Sequence, residues 1–562
     1  MTIFYNSNMK TIRIRQFSDE SYRHLLAADT PPFLARIMAA RGLQSPAEIS
    51  PDLASLPDPR VIPGMAEASA TLMEAIVAQK PICIIADYDA DGATACAVVY
   101  RTLQHLGAHV SYLVPNRFVD GYGLSPAVVM RAHQMGAKVL LTVDNGIASI
   151  EGAEKCKALG LSLIITDHHL PGPFLPQADA IVNPKLSEKP LQLAGVGVAF
   201  YLMLDLRRQL RAQHYFKSRK EPNLGMLLPL VAMGTLADLV PLDTTNRILV
   251  RTGLSRIRQG KGVPPGILAL LQQAAIKPEH LKASDIGFIL APRINAAGRL
   301  DDMRLGIALL CCDQAEQAQQ LAARLNAFNR QRQAIEQNMT LALADLESKD
   351  AYALAFYHES WHEGVVGLVA SRLKDKVFRP VFAFAKGQDG YLKGSGRSIP
   401  AFHLKDALDA MAHKNPTLLL RFGGHAMACG VTMKEESLPL FREMLETFAR
   451  ERLTPTDLNE VIETDGGLSI DEMNVENARL IEEEAWGPHF PLPLFVDIFT
   501  VKSERLVGKS QRLVLCKDGK HFDAVRFREQ SQLSGQIQAV YSLATSRFGG
   551  GTSLELILHT VL

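Results

Sequence analysis

Three runs of this chain are apolar without interruption, and each ends in acid or imidazole groups. Residues 81–86 (PICIIA) lead into Asp87-Tyr88-Asp89-Ala90-Asp91-Gly92, residues 139–143 (VLLTV) into Asp144-Asn145-Gly146, and residues 162–166 (SLIIT) into Asp167-His168-His169. A strand that alternates apolar and polar residues has one wet face; a strand with no alternation is covered on both faces, which is the habit of parallel sheets. Residues 93–106 and 149–159 have helical spacing, so the order is strand, helix, strand with right-handed crossovers. That predicts an α/β fold. In open sheets of this kind ligands sit beyond the carboxyl ends of the strands. All three polar clusters fall at that edge, which predicts that they form one metal site.

The donor types narrow the metal. Asp89 and Asp91 alternate along a segment leaving a strand, Asp144 leaves a second strand and His168 a third, so hard carboxylate oxygens are joined by imidazole. Mixed oxygen and nitrogen ligation favours Mn²⁺ or Mg²⁺ over a thiolate-seeking metal. The acids are too many for one ion. Two ions about 3.5–4 Å apart, bridged by a shared carboxylate, would satisfy the count and would suit phosphoryl chemistry; Asp144, between the other clusters in the chain, is the expected bridge. Asp238, in Gly234-Thr235-Leu236-Ala237-Asp238-Leu239, ends an apolar helical stretch and is the candidate for the missing ligand. A Ca²⁺ loop also opens with DxDxDG, but its twelfth position must be a bidentate Glu and a helix must precede it. Here that position is Val98, and a buried strand precedes.

In order and approximate spacing, DYDADG, VDNG, DHH and GTLADLVPL are similar to the four motifs of the DHH phosphoesterase superfamily. More narrowly the chain resembles those bacterial members that are exonucleases specific for single-stranded DNA. Pro292-Arg293-Ile294-Asn295-Ala296-Ala297-Gly298-Arg299, His362-Glu363-Gly364-Val365-Val366-Gly367, Gly394-Ser395-Gly396-Arg397-Ser398 and Gly423-Gly424-His425-Ala426-Met427-Ala428-Cys429-Gly430 agree with that narrower resemblance. It implies metal ligation by Asp89, Asp91, Asp144, His168 and Asp238, with His169 beside the metals and Asp87 as a supporting or alternate ligand. It also implies an enzyme: a two-metal phosphodiesterase acting 5′ to 3′ in DNA recombination and repair, with Mn²⁺ or Mg²⁺ as cofactor. Two departures stand out. Ala86 replaces the Gly common before DYD, and residues 486–493 (WGPHFPLP) lack the Gly-Asn-Pro usual at the start of the barrel domain.

Other residues suit a phosphodiester. Ser395 and Arg397, flanked by glycines, can present a hydroxyl, backbone N–H groups and a guanidinium fork to a phosphate. Arg117 resembles the family's second 5′-phosphate contact. Arg293 and Arg299 flank Asn295, where charge on the scissile group would be stabilised, and His425 is expected to reach the same phosphate from the second domain.

The rest of the chain divides around these motifs. Residues 1–70 read as an amino-terminal lead-in packed on the first domain, 71–312 as the DHH catalytic domain, and 313–347 as a long connecting helix without Gly or Pro. Residues 348–452 read as a smaller α/β DHH-associated domain, 453–459 as a linker, and 459–562 as an OB-like β-barrel. Residues 206–223, polar and basic, are expected to be a mobile insertion. The DNA is expected to thread the groove between the two α/β domains and extend onto the barrel, whose stacking and backbone tracking suit single strands.

Lys and Arg number 60 against 59 Asp and Glu, so a polyanion must be held by a local channel and not by a global field. The seven cysteines include no CxxC pair, as expected of a reducing cytosol. No stretch has signal-peptide or membrane-span character, which predicts a soluble, cytoplasmic protein. Expected partners are single-stranded DNA, a single-strand-binding protein and a recombination helicase, with the chain acting as a monomer. The competing readings are a DHH phosphoesterase for nanoRNA or cyclic dinucleotides, disfavoured by the added barrel, and a non-catalytic DNA-binding relative in a replication assembly, disfavoured by the intact acids.

Overall fold

The computed structural model describes residues 2–3, 10–116, 120, 123–341, 350–387, 389–508, 510–527, 531–546 and 551–562. Its chain divides into a larger unit, residues 15–329 with 465–561, and a smaller one, built mainly from residues 330–464 with 1–14.

The larger unit begins around five parallel strands: β1 (Ile82–Ala86), β2 (Val110–Leu113), β3 (Val139–Val143), β4 (Ser162–Thr166) and β5 (Ala180–Val182). They lie in the order β2-β1-β3-β4-β5. All five residues of β1 and of β3 are buried, which is why their sequences carry no alternation. The strand order reverses between β1 and β3, and such a switch point opens a crevice at the carboxyl edge. Helices α1 (Ala90–His105), α2 (Pro126–Gln134) and α3 (Ile150–Ala158) connect the strands. Further helices, α4 (Gly195–Ala212), α5 (Leu228–Asp238) and α6 (Thr244–Arg258), complete the core.

A helical stretch from Ala283 is interrupted by a π turn over Ile286–Leu290, where Ala291 N–H donates to Ile286 C=O, and then resumes as α7 (Ala291–Leu300). The long helix α8 spans Ala315–Leu341.

The smaller unit holds a five-stranded sheet of β6 (Leu354–Tyr357), β7 (Val381–Lys386), β8 (Leu392–Arg397), β9 (Arg421–Gly424) and β10 (Ala428–Met433). Its order is β9-β10-β8-β7-β6, antiparallel except for the β6/β7 edge. Helix α9 (Val366–Val377) packs on β7 and β8. In the larger unit the closed barrel runs β11 (Phe495–Val507), β12 (Ser510–Lys517), β13 (Lys520–Phe527), β15 (Ser553–Val561), β14 (Gln536–Ser546). Closure leaves no open edge in the barrel.

Three expectations change. Residues 206–223 are tied down: Leu206 and Leu210 are buried in α4, and the Tyr215 hydroxyl donates to Leu106 C=O at 2.7 Å. The polar look came from arginines with acid partners, Arg208 to Asp58 and Arg211 to Glu221. The lead-in has two destinations: from its helix Pro32–Ala39, Leu34 and Met38 enter the catalytic core, while Phe33 and Ile37 enter the barrel core, with Phe33 and Phe495 ring centroids 5.9 Å apart. The expected linker is packed, with Leu453 and Leu458 buried and Arg379 Nη1 donating to Leu458 C=O at 3.0 Å. A strand, Glu460–Thr464, then pairs in parallel with Lys10–Ile14.

The unusual segment 486–493 forms a stack. Trp486 and Phe490 lie nearly parallel with centroids 5.1 Å apart, Arg41 lies over the Trp486 ring at 5.0 Å, and Arg247 lies 4.1 Å from Phe490. Arg247 is 1% exposed and donates to the carbonyls of Glu48 and Ile49, so the lead-in, α6 and the barrel's entry are fixed together by one desolvated cation.

Candidate metal centre

Asp87, Asp89 and Asp91 follow β1, Asp144 follows β3, His168 and His169 follow β4, and Asp238 ends α5; the structure brings all seven to the switch point. His168 Nε2 lies 3.1 Å from Asp144 Oδ1, 3.6 Å from Asp238 Oδ2 and 3.9 Å from Asp91 Oδ2. Three ligand sets have donor atoms within 4.8 Å of one another: Asp87, Asp89 and Asp144; Asp91, His168 and Asp238; and Asp144, His168 and His169. Asp144 and His168 each belong to two of these sets.

Backbone aims three of these acids. Asp89 caps α1 and accepts from Gly92 N–H at 2.9 Å. Asp91, in the first turn of α1, accepts from Gly195 N–H at 2.7 Å and Val196 N–H at 2.9 Å, so the positive end of α4 is turned on this carboxylate. Asp144 has φ 63°, a left-handed conformation costly for a residue with a Cβ and typical of functional sites. The next residue, Asn145, is fully buried and donates to the carbonyls of Ile85 and Val143, joining the ends of β1 and β3.

The electrostatics ask for cations. Burial, then repulsion from neighbouring carboxylates, pushes Asp91 up to about 7 and raises Asp87, Asp144 and Asp238 well above the usual range. Burial and the adjacent His169 depress His168 to about 3, so its imidazole is neutral. Its Nε2 is buried and has no hydrogen-bond partner among the described residues, as suits a metal-ligand lone pair. His169 differs. Burial, the largest single influence, would lower it, but the 2.7 Å hydrogen bond to Asp167 and the charges of Asp167, Asp238 and Asp87 together raise it to about 9. Burial, the largest single influence, raises Asp167 in turn, but the hydrogen bond and charge of His169 together with backbone N–H groups of Ile147 and His169 hold the carboxyl below its ordinary value. The donor set thus fits divalent ions: clustered carboxylates that cannot all ionise alone, and one neutral imidazole.

Sequence reasoning missed Gly195. A Cβ there would stand 2.5 Å from both Cβ and Oδ1 of Asp144, so only glycine lets α4 approach closely enough to hold Asp91. The run Gly195-Val196-Gly197 at a helix start was its available signal. Asn246 was also missed; it is fully buried and donates to Gln192 C=O at 2.6 Å and Pro241 C=O at 2.8 Å, tying the approach to Gly195 to the loop after Asp238.

The remaining candidates separate. Asn295 Oδ1 accepts from Ala90 N–H at 2.7 Å, so this residue braces the first acid loop. Gly298 lies so close to Tyr88 that an added Cβ would sit 2.1 Å from its carbonyl oxygen. Arg293 directs its fork at Asn326 Oδ1 and Ile289 C=O, and Arg299 is half-buried in the last turn of α7. In the smaller unit Ser395 and Arg397 share one face of β8, with Arg397 Nη1 3.1 Å from Ser395 Oγ, and both lie against Gly367 in the first turn of α9. His425 is exposed on the β9–β10 turn. Arg117 lies outside the described residues.

Carboxylates at successive strand ends, with an imidazole pair among them, are the construction of a metal-dependent phosphoesterase of the DHH class. Family models agree: residues 81–235 match the DHH family N-terminal domain, 349–451 the DHHA1 domain and 464–560 the RecJ OB domain. The chain is 45% identical to the single-stranded-DNA-specific exonuclease RecJ of Escherichia coli, over 95% of this chain and 96% of that one. It is 34% identical to the Bacillus subtilis protein of the same name, over 89% and 63%. The manganese complex of RecJ from Thermus thermophilus superposes with a TM-score of 0.85 at 29% identity, covering 99% of this chain and 80% of that one; a magnesium complex gives 0.79 at 28%, over 98% and 78%. The chain belongs to the RecJ family of DHH enzymes. Among the described residues no helix is long and apolar enough to cross a membrane.

Proposed function

We propose that this chain is a metal-dependent exonuclease that degrades single-stranded DNA from its 5′ end, in recombination and repair. The observation that carries the reading is the cluster around His168 Nε2, with three carboxylates within 3.1–3.9 Å of a neutral, buried imidazole. Relatives named as single-stranded-DNA-specific exonucleases, and related structures holding Mn²⁺ or Mg²⁺, support it.

Asp87, Asp89 and Asp144 would hold one ion; Asp91, His168 and Asp238 the other, with Asp144 shared. When bound, such ions neutralise phosphoryl oxygens and lower the pKa of water. The protein's own groups do the rest. Asp167 keeps the His169 ring charged beside the scissile phosphodiester, and Asn145, Asn246 and the α4 N-terminus keep the ligands in register. Arg299 adds positive charge near the same edge, while Arg293 and Asn295 act as positioning residues.

The 5′ end is read as a terminal phosphate by Ser395, Arg397 and His425 of the smaller unit; a guanidinium fork beside a helix N-terminus suits a phosphate dianion. The barrel adds affinity for longer strands. Action as a monomer in the cytoplasm, with a single-strand-binding protein and a helicase delivering the strand, completes the proposal. The test is digestion of 3′-labelled strands with Mn²⁺ or Mg²⁺. A shortening ladder from single strands, and resistance of blunt duplex, is expected; release of the 3′ label at the first time point would contradict the polarity.

A further inference from the structure

A second concavity, of about 740 Å³, lies next to the metal centre and is lined by α5, by residues 282–289 and by the barrel. All of these belong to the larger unit. Phe288, in the π turn, is 79% exposed, Leu239 60% and Phe527, at the end of β13, 55%. Behind them the lining is apolar, with Trp486 and Leu543. The nearby acids are engaged: Glu482 pairs with Lys282 at 2.6 Å, Glu484 with Arg251 at 3.0 Å, and Asp285 accepts from Lys282 N–H. The groove therefore offers apolar surface whose acids, Asp285, Glu482 and Glu484, outnumber its lining cation, Lys282, so it suits bases and not phosphates.

We propose that this groove takes unpaired bases of the single strand, stacked on Phe288, while the phosphates stay outside it. The proposal rests on the exonuclease reading and adds a base-binding site to it. Continuity argues for this occupant. One wall is α5, and Leu239 directly follows the ligand Asp238, so a base entering here belongs to a nucleotide close to the metal edge. The opposite wall is β14 and β15 of a barrel whose fold binds oligonucleotides. An exposed ring at the mouth is a stacking platform indifferent to base identity, as a nonspecific nuclease requires. The volume is that of a small-ligand site, suited to individual bases.

The test compares a 5′-phosphorylated oligothymidylate with the same strand carrying single abasic residues at each position, binding being measured by fluorescence anisotropy in chelator. Wild type should lose affinity about tenfold when the base at one or two positions near the 5′ end is removed. Phe288→Ala should bind the intact strand about as weakly as the abasic ones, and Phe288→Trp should restore the dependence. Because Phe288 is exposed, both variants should melt as wild type does. Full base dependence in Phe288→Ala overturns the proposal and leaves the groove to an apolar protein partner. Failure of the exonuclease reading is seen separately, as absence of Mn²⁺-dependent degradation by wild type.

Discussion

Gly195→Ala tests whether the metal centre is built by close helix approach. The added methyl would lie 2.5 Å from Cβ and from Oδ1 of Asp144, whereas carbon contacts settle at about 3.5–4.0 Å. Asp144 or the start of α4 must therefore move by about 1 Å. Neither can do so freely. Asp144 follows a fully buried strand, and Gly195 N–H holds Asp91. Overpacking of this kind costs about 1–3 kcal/mol, and a 1 Å misplacement at a reacting centre costs about 100-fold in rate. The variant should fold with a modestly lowered melting temperature, bind single strands normally in chelator, and show kcat/KM for strand degradation reduced about 100-fold, with weakened Mn²⁺ binding in calorimetry. Gly197→Ala is the control. Its methyl meets the Leu193 side chain, 3.1 Å from Cδ2 and 3.2 Å from Cβ, which a small shift relieves away from the acids, and activity should stay within a few-fold of wild type. Wild-type rate and Mn²⁺ affinity in Gly195→Ala would refute the reasoning.

Asp144→Ala should abolish cleavage and spare strand binding; hydrolysis persisting in excess Mn²⁺ would exclude a shared carboxylate. Arg397→Ala should slow degradation of 5′-phosphorylated strands far more than 5′-hydroxyl strands, and equal slowing would reduce Arg397 to a general backbone ligand. In chelator, the carboxylates with raised values, Asp91 at about 7 among them, make the folded protein bind more protons than the unfolded chain above about pH 4. Stability from these groups should fall as pH rises to 7, opposed by the one depressed imidazole, His168. The thermal stabilisation given by Mn²⁺ should accordingly be larger at pH 7.5 than at pH 5.5, and an equal gain at both would contradict the cluster's electrostatics. Lys502→Glu and Arg505→Glu, exposed on β11, should weaken binding of long strands and lower its salt slope by about one for each phosphate no longer neutralised, without slowing cleavage of trinucleotides; an unchanged slope would remove this face from the DNA track.

The catalytic sheet was legible because a strand covered on both faces excludes polar residues, leaving runs such as VLLTV with acids at the point where cover ends. Distance in sequence hid the rest. Gly195 matters because of the space Asp144 needs, 51 residues away, and nothing local to either residue states that they touch. The lead-in helix showed which residues are buried but not against what, and Phe33 and Leu34, neighbours in sequence, belong to different cores. Polar composition misled at residues 206–223, where arginines pair with acids instead of facing water alone. Removing everything after Arg452 would therefore strip cover from Phe33 and Ile37 and break the Arg41–Asp465 pair, so point changes on the barrel surface are the cleaner probe.

The π turn before α7 limits how the protein can vary. A helix advances about 100° per residue, and the extra residue within Ile286–Leu290 therefore sets the rotational phase of everything after it. Asn295 meets Ala90, and Gly298 meets Tyr88, only in that phase. Deleting one residue here would yield a more regular, intrinsically steadier helix whose next turns face the wrong way. A steadier helix and a braced acid loop thus make opposite demands on these five residues, and a change of length here, unlike one in the loops on either side, would undo the brace.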